Sequence, residues 1–165
     1  MNELIRTHRL RKFYRCIVSG TVHKQQRIEG WLKKDEKSNQ VTIYEKEQKD
    51  SLFICTEYLP LKTILLGGRI YTYLEVNLIT GRSHQIRAHL ASAGHPLIGD
   101  AKYGNPDINK YFREHYSLKY QLLHAFRLEF PELSGILEPL SNRQFTAPFP
   151  PTFAGILKQS NILQE

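Results

Sequence analysis

Hydrophobic and polar residues alternate with a period of two in strand-like stretches before position 79, and the period changes after that. Within residues 69 to 78, Tyr71, Tyr73, Glu75 and Asn77 alternate with Ile70, Thr72, Leu74, Val76 and Leu78. This spacing predicts a strand with Ile70, Leu74, Val76 and Leu78 facing inward. Thr80 and Gly81 then turn the chain, and from Arg82 onward Ile86, His89, Leu90 and Ala93 fall at i, i+3, i+4 and i+7. That pattern predicts a helix from Arg82, ended by Gly94 and stopped by Pro96, with Thr80 or Ser83 as the N-cap.

The flanking chain reads in the same terms. Residues 10 to 19 form a strand with Phe13, Arg15, Ile17 and Ser19 on one face and Lys12, Tyr14, Cys16 and Val18 on the other, ended by Gly20. Residues 28–32, 41–44 and 51–59 read as strands separated by charged turns at 33–39 and 45–50, and Gly67-Gly68 makes a hairpin into the central strand. Asn105-Pro106-Asp107 reads as a turn, residues 108–116 as a short helix, and residues 122–130 as a further strand. No internal repeat, low-complexity tract or interdomain linker interrupts the 165 residues, a length that suits a single domain with a core large enough to fold without staples.

Composition narrows the class. Hydrophobic residues make up 41% of the chain and charged residues 24%, ordinary values for a globular domain and far from those of disordered chains. No apolar run reaches the length of a membrane span, and the first residues lack the apolar core of a signal peptide, so no membrane partner and a cytoplasmic location are expected. Cys16 and Cys55 sit apart in apolar runs and read as reduced core residues. His84 and His89 are five positions apart, about 140° around a helix, so the histidines offer no metal signature and no metal cofactor is expected. The formal net charge of +7 favours an anionic partner, and residues 1 to 15 hold five arginines and lysines against Glu3 alone.

Arg82 concentrates the candidate chemistry. It lies four residues before Ile86, about 40° from the apolar stripe of a helix, at the rim of the core. A guanidinium there loses water on one side and calls for an anion: a structural carboxylate, a phosphate or a reacting group. Residues 69–104 carry Leu78, Thr80-Gly81-Arg82-Ser83-His84-Gln85-Ile86-Arg87, His89, Gly94-His95-Pro96, Gly99-Asp100 and Tyr103-Gly104. This run resembles the signature of the RluA-type family of RNA pseudouridine synthases. Lys12, Tyr14, Cys16, Val18 and Gly20 resemble the family's Lys-x-Tyr-x-Ala-x-Val-x-Gly strand, with Cys16 in place of Ala, and Leu123-His124-Ala125 resembles its Leu-His-Ala strand. Residues 145–148 and 151–157 resemble its C-terminal strand end and closing helix, so that the likeness covers about residues 10 to 157.

The resemblance implies an α+β fold, a mixed and mainly antiparallel sheet with a few flanking helices, and RNA as the partner. It implies an isomerisation in ribosomal or transfer RNA that detaches uracil from its ribose, turns it and rejoins it through carbon 5, with no cofactor. Tyr14 would be the platform for the base and Arg82 the cation that partners the family's catalytic aspartate. Leu123 would pack beside the tyrosine, and Lys12, His84 and Arg87 are candidate RNA contacts, Arg87 being equally suited to a structural salt bridge. The aspartate belongs to a His-Arg-Leu-Asp run that these 165 residues do not contain; His8-Arg9-Leu10-Arg11 imitates only its first three positions. The expectation is therefore an incomplete catalytic domain. Three readings stand: a piece of a longer enzyme, an RNA-binding relative without activity, or one half of a split enzyme. Exposed apolar sheet and self-association are expected in each.

Overall fold

The computed structural model describes Leu4 and residues 9 to 162. The elements are β1 (Arg11–Ser19), β2 (Gln26–Asp35), β3 (Gln40–Tyr44), β4 (Leu52–Leu66), β5 (Arg69–Leu78), α1 (Gln85–Ser92), α2 (Pro106–Tyr116), β6 (Leu123–Glu129), a 3-10 turn (Gly135–Leu140), β7 (Gln144–Thr146) and α3 (Pro151–Gln159). The seven strands form one sheet in the order β3-β2-β4-β5-β1-β6-β7. Each of these ladders is antiparallel. The α+β architecture is the expected one.

Both faces of the sheet are covered at its centre. On one face Cys16, Val18, Leu74, Val76 and Leu78 pack with Tyr58 against Ile86 and Leu90 of α1. On the other, Ile17, Tyr71 and Tyr73 pack with Ile108 and Phe112 of α2 and Phe153, Ile156 and Leu157 of α3. This corrects the expected polarity of β5: Tyr71 and Tyr73 are core residues at 0% and 6% exposure, while Ile70 is 47% exposed at the strand's start. A strand covered on two sides loses its alternation of apolar and polar positions, and amphipathic tyrosines hide the second buried face.

Other boundaries shift for local reasons. Strand β4 continues past the expected residue 59 because Pro60 sits at a register shift in the ladder with β5, where a missing N–H is tolerated. Asn105 does not make a free turn. It caps α2, its side chain accepting from the Asp107 amide at 3.0 Å and the Ile108 amide at 3.1 Å, with Pro106 in the first helical turn. Gly67 and Gly68 both have positive φ, 55° and 71°, as a two-residue hairpin turn of this hand requires. Both cysteines are buried and free. Among the described residues no helix is long and apolar enough to cross a membrane.

Candidate active site

The turn between β5 and α1 is organised by a side chain that apolar periodicity could not flag. Gln85 is 2% exposed. Its Oε1 accepts from the Thr80 hydroxyl at 2.8 Å and the Arg82 amide at 3.1 Å. Its Nε2 donates to the Cys55 carbonyl and the Thr56 hydroxyl, both at 3.0 Å. The same Thr56 hydroxyl lies 3.0 Å from His89 Nδ1. The amide is thus fully satisfied and ties the turn to β4. Gln85 also displaces the expected start of the helix: α1 begins at Gln85 and its N-cap is His84, at φ 55°, without a side-chain cap from Thr80 or Ser83.

Arg82 consequently stands before the helix, exposed, rather than on the helix at the rim of the core. Among the described residues its side chain makes no ion pair or hydrogen bond; only its backbone amide is held. It lines a cleft of about 260 Å³ together with Tyr14, Leu78, His84, Gln85, Ile86, Arg87, Gln121 and Leu123. Five of the six site residues expected from sequence share this lining. Among the described residues it contains no aspartate or glutamate.

Tyr14 reaches the cleft from β1 at a register irregularity: Phe13 pairs with Arg127 and Tyr14 with Ala125, so Phe126 is skipped on β6. The extra residue of this bulge is Phe126 on β6, while the ladder with β5 runs unbroken through Tyr14. The ring packs at the margin of the core under α1 and shares the cleft lining with Leu123. Burial pushes its phenol pKa up, so the ring stays neutral. Lys12, the sixth expected residue, lies on the same strand face, and its Nζ is 3.1 Å from where a Cβ on Gly81 would be. A side chain at position 81 would crowd it. Burial lowers the ammonium's pKa. Gln121 had no sequence signal: it stands in an irregular stretch before β6.

Arg87 is committed to the protein. Its Nε and one terminal nitrogen donate to the two Asp100 oxygens, each at 2.7 Å, and its guanidinium lies 5.2 Å from the Tyr103 ring centre. Asp100, 0% exposed, also accepts from the amides of Lys102 at 2.9 Å and Tyr103 at 3.1 Å. Burial pushes its carboxyl up, but the Arg87 fork and the two amides outweigh burial and hold it below the usual range. Gly99 is required here, since a Cβ there would come within 2.5 Å of the Tyr120 carbonyl oxygen and its φ is 80°. The Tyr103 hydroxyl accepts from the Val41 amide at 2.9 Å and lies 3.0 Å from His84 Nδ1. The two sub-motifs of the sequence therefore interlock, Gly99 to Tyr103 buttressing His84 and Arg87.

The basic start of the chain is spent largely on the opposite face. Arg15 pairs with Glu75 at 2.8 Å, Arg127 bridges Glu75 and Glu129, and Arg11 pairs with Glu129 at 2.9 Å. Arg127 also stacks 4.0 Å from the Phe13 ring centre. The Arg9 guanidinium donates to the Glu132 carbonyl, while Arg6 and His8 lie outside the described residues. Among the described residues, Lys12 is the early cation placed beside the cleft. Among the described residues no group of three or more His, Cys, Asp or Glu side chains is arranged to hold a metal ion.

Residues 1–92 match the family described as RNA pseudouridylate synthase. The chain is similar to tRNA pseudouridine synthase C of Vibrio cholerae, 33% identical over 130 residues, covering 74% of this chain and 53% of that protein. It is 46% identical over 65 residues to ribosomal large subunit pseudouridine synthase D of Neisseria meningitidis, covering 36% of this chain and 17% of that protein. The fold superposes on the solved human RNA pseudouridylate synthase domain containing 1 with a TM-score of 0.71 at 21% identity, covering 92% of this chain and 60% of that one. The chain spans about half the length of the curated relatives it matches, 53% in the Vibrio cholerae case.

Proposed function

Since the chain belongs to the RluA-type RNA pseudouridine synthase family, we propose that its cleft holds a flipped-out uridine of ribosomal or transfer RNA for isomerisation to pseudouridine. The observation that carries this is the shared lining: Tyr14, Arg82 and Leu123, from β1, the β5–α1 turn and β6, converge on one cleft. A neutral aromatic ring beside an apolar side chain suits a planar base, and a guanidinium without a protein partner among the described residues suits an anion.

The reaction breaks the bond between N1 and the ribose C1′, forms one between C5 and C1′, and moves the C5 proton to solvent while N1 takes one up. It is redox-neutral and needs no nucleotide or metal. What it does need is a carboxylate acting at the ribose or base, and among the described residues the cleft lining holds none. Asp100 cannot serve, because its four hydrogen bonds and complete burial leave it no access to a substrate. We propose that the acid comes from outside these 165 residues and pairs with Arg82. The cation then keeps that carboxylate ionised and oriented.

Tritium release from RNA labelled at uridine C5 tests this reading. The chain alone is expected to release none. A version extended at its N-terminus by a His-Arg-Leu-Asp segment of a relative is expected to release tritium, and Arg82→Ala in that version to abolish release. Release by the chain alone would show that an acid within it suffices. RNA binding without release by the extended version would favour the second reading, a non-catalytic RNA-binding relative, which the acid-free cleft also supports.

A further inference from the structure

His84 occupies an unusual place. It is a non-glycine residue at φ 55°, it caps α1, and it lines the cleft, yet the proposed reaction gives it no part. Left-handed backbone at such a residue is strained and persists where the surroundings determine it. Here they do: the imidazole meets the Tyr103 ring edge-on at 5.8 Å, and Tyr103 is itself covered by the Asp100-bound guanidinium of Arg87.

The hydrogen bonds determine which ring nitrogen carries the proton. The Val41 amide donates to the Tyr103 oxygen at 2.9 Å. The phenol's single hydrogen needs an acceptor, and among the described residues the one in reach is His84 Nδ1 at 3.0 Å. Were Nδ1 protonated instead, the partly buried phenol O–H would be left without a protein partner. We propose that Tyr103 locks His84 in the Nε2-protonated tautomer, so that His84 offers a single N–H donor to a carbonyl oxygen of the pyrimidine bound in the cleft. Tyr103 is then a positioning residue acting through His84.

The electrostatics favour a carbonyl over a phosphate as the acceptor. Burial lowers the pKa of His84, the neighbouring Arg87 and Lys102 lower it further, and Asp100 offsets this only in part, so the neutral ring is favoured at neutral pH. Arg82 and Lys12 beside it are better matched to phosphate. An uncharged donor, by contrast, pairs with a neutral oxygen without desolvating an ion. The ligand half of this inference rests on the uridine reading of the cleft, whereas the tautomer half stands on hydrogen-bond geometry alone.

Long-range proton–nitrogen NMR of the histidine-labelled chain tests both halves. His84 is expected to show the Nε2–H pattern in the free chain, and Tyr103→Phe to convert it to a mixture of tautomers. An Nδ1–H pattern in the unaltered chain would overturn the lock, whether or not the variant folds. A short uridine oligonucleotide is expected to shift the His84 Nε2 resonance, while an oligonucleotide abasic at its centre and inorganic phosphate are not. Equal shifts with the abasic oligonucleotide or with phosphate would overturn the carbonyl acceptor. Absence of any RNA binding would overturn the ligand half together with the uridine reading, and the tautomer would still be decided by the free chain.

Discussion

Gln85 shows how a single side chain sets the position of another. All four hydrogen-bonding sites of its amide are used within the protein, on Thr80, Arg82, Cys55 and Thr56. Gln85→Leu would leave several buried polar groups unpaired at once, and we expect it to lower unfolding stability by about 3 kcal/mol in urea titration; a loss below about 0.5 kcal/mol would show that water replaces the amide. At this scale the sequence was partly legible. Tyr14, Arg82 and Leu123 were found by their motifs, and the structure puts them in one cleft. Gln85 and Tyr103 stood in the motif without a role, because a buried polar residue contributes nothing to apolar periodicity and shows its partners only in three dimensions. Arg87 could be read as ligand or strut, and the fork on Asp100 makes it a strut.

At the scale of elements, α1 is the joint between the cleft and the sheet. Ile86 and Leu90 bury against β1 and β5, and Ala88 against β2 to β4. His89 is held between Thr56 and the Glu29 backbone, with burial driving its pKa down to about 4 despite that backbone bond. The sign follows directly: the unfolded chain binds a proton near pH 6.5 that the native ring refuses until about 4, so stability rises with pH across that window. We expect the chain to lose up to about 3 kcal/mol between pH 7 and pH 4 from this group, and His89→Gln to flatten the pH dependence of the melting temperature. A profile unchanged by that substitution would assign the acid sensitivity elsewhere. Element types were legible where period two marked β1 and period 3.6 marked the helix after β5, while α3 was expected from the family resemblance alone. Boundaries were less so, since the Gln85 latch delays α1 and Asn105 starts α2 early through its cap.

For the whole molecule, charge distribution matters more than the total. The net charge of +7 suggested a basic grip on an anionic partner, but Arg11, Arg15 and Arg127 are tied to Glu75 and Glu129 on the face away from the cleft. The cleft face keeps Lys12 and Arg82, next to a neutral phenol and a neutral imidazole. On the proposed reading the two faces do different work, an ion-paired wall behind and a base-holding pocket in front. Ultraviolet cross-linking of the chain to RNA carrying 4-thiouridine, with the adduct located by mass spectrometry, tests that assignment most directly. Adducts on Tyr14, His84 or Leu123 are the predicted result, and adducts confined to Phe13, Phe126 or Tyr73 on the opposite face would contradict it.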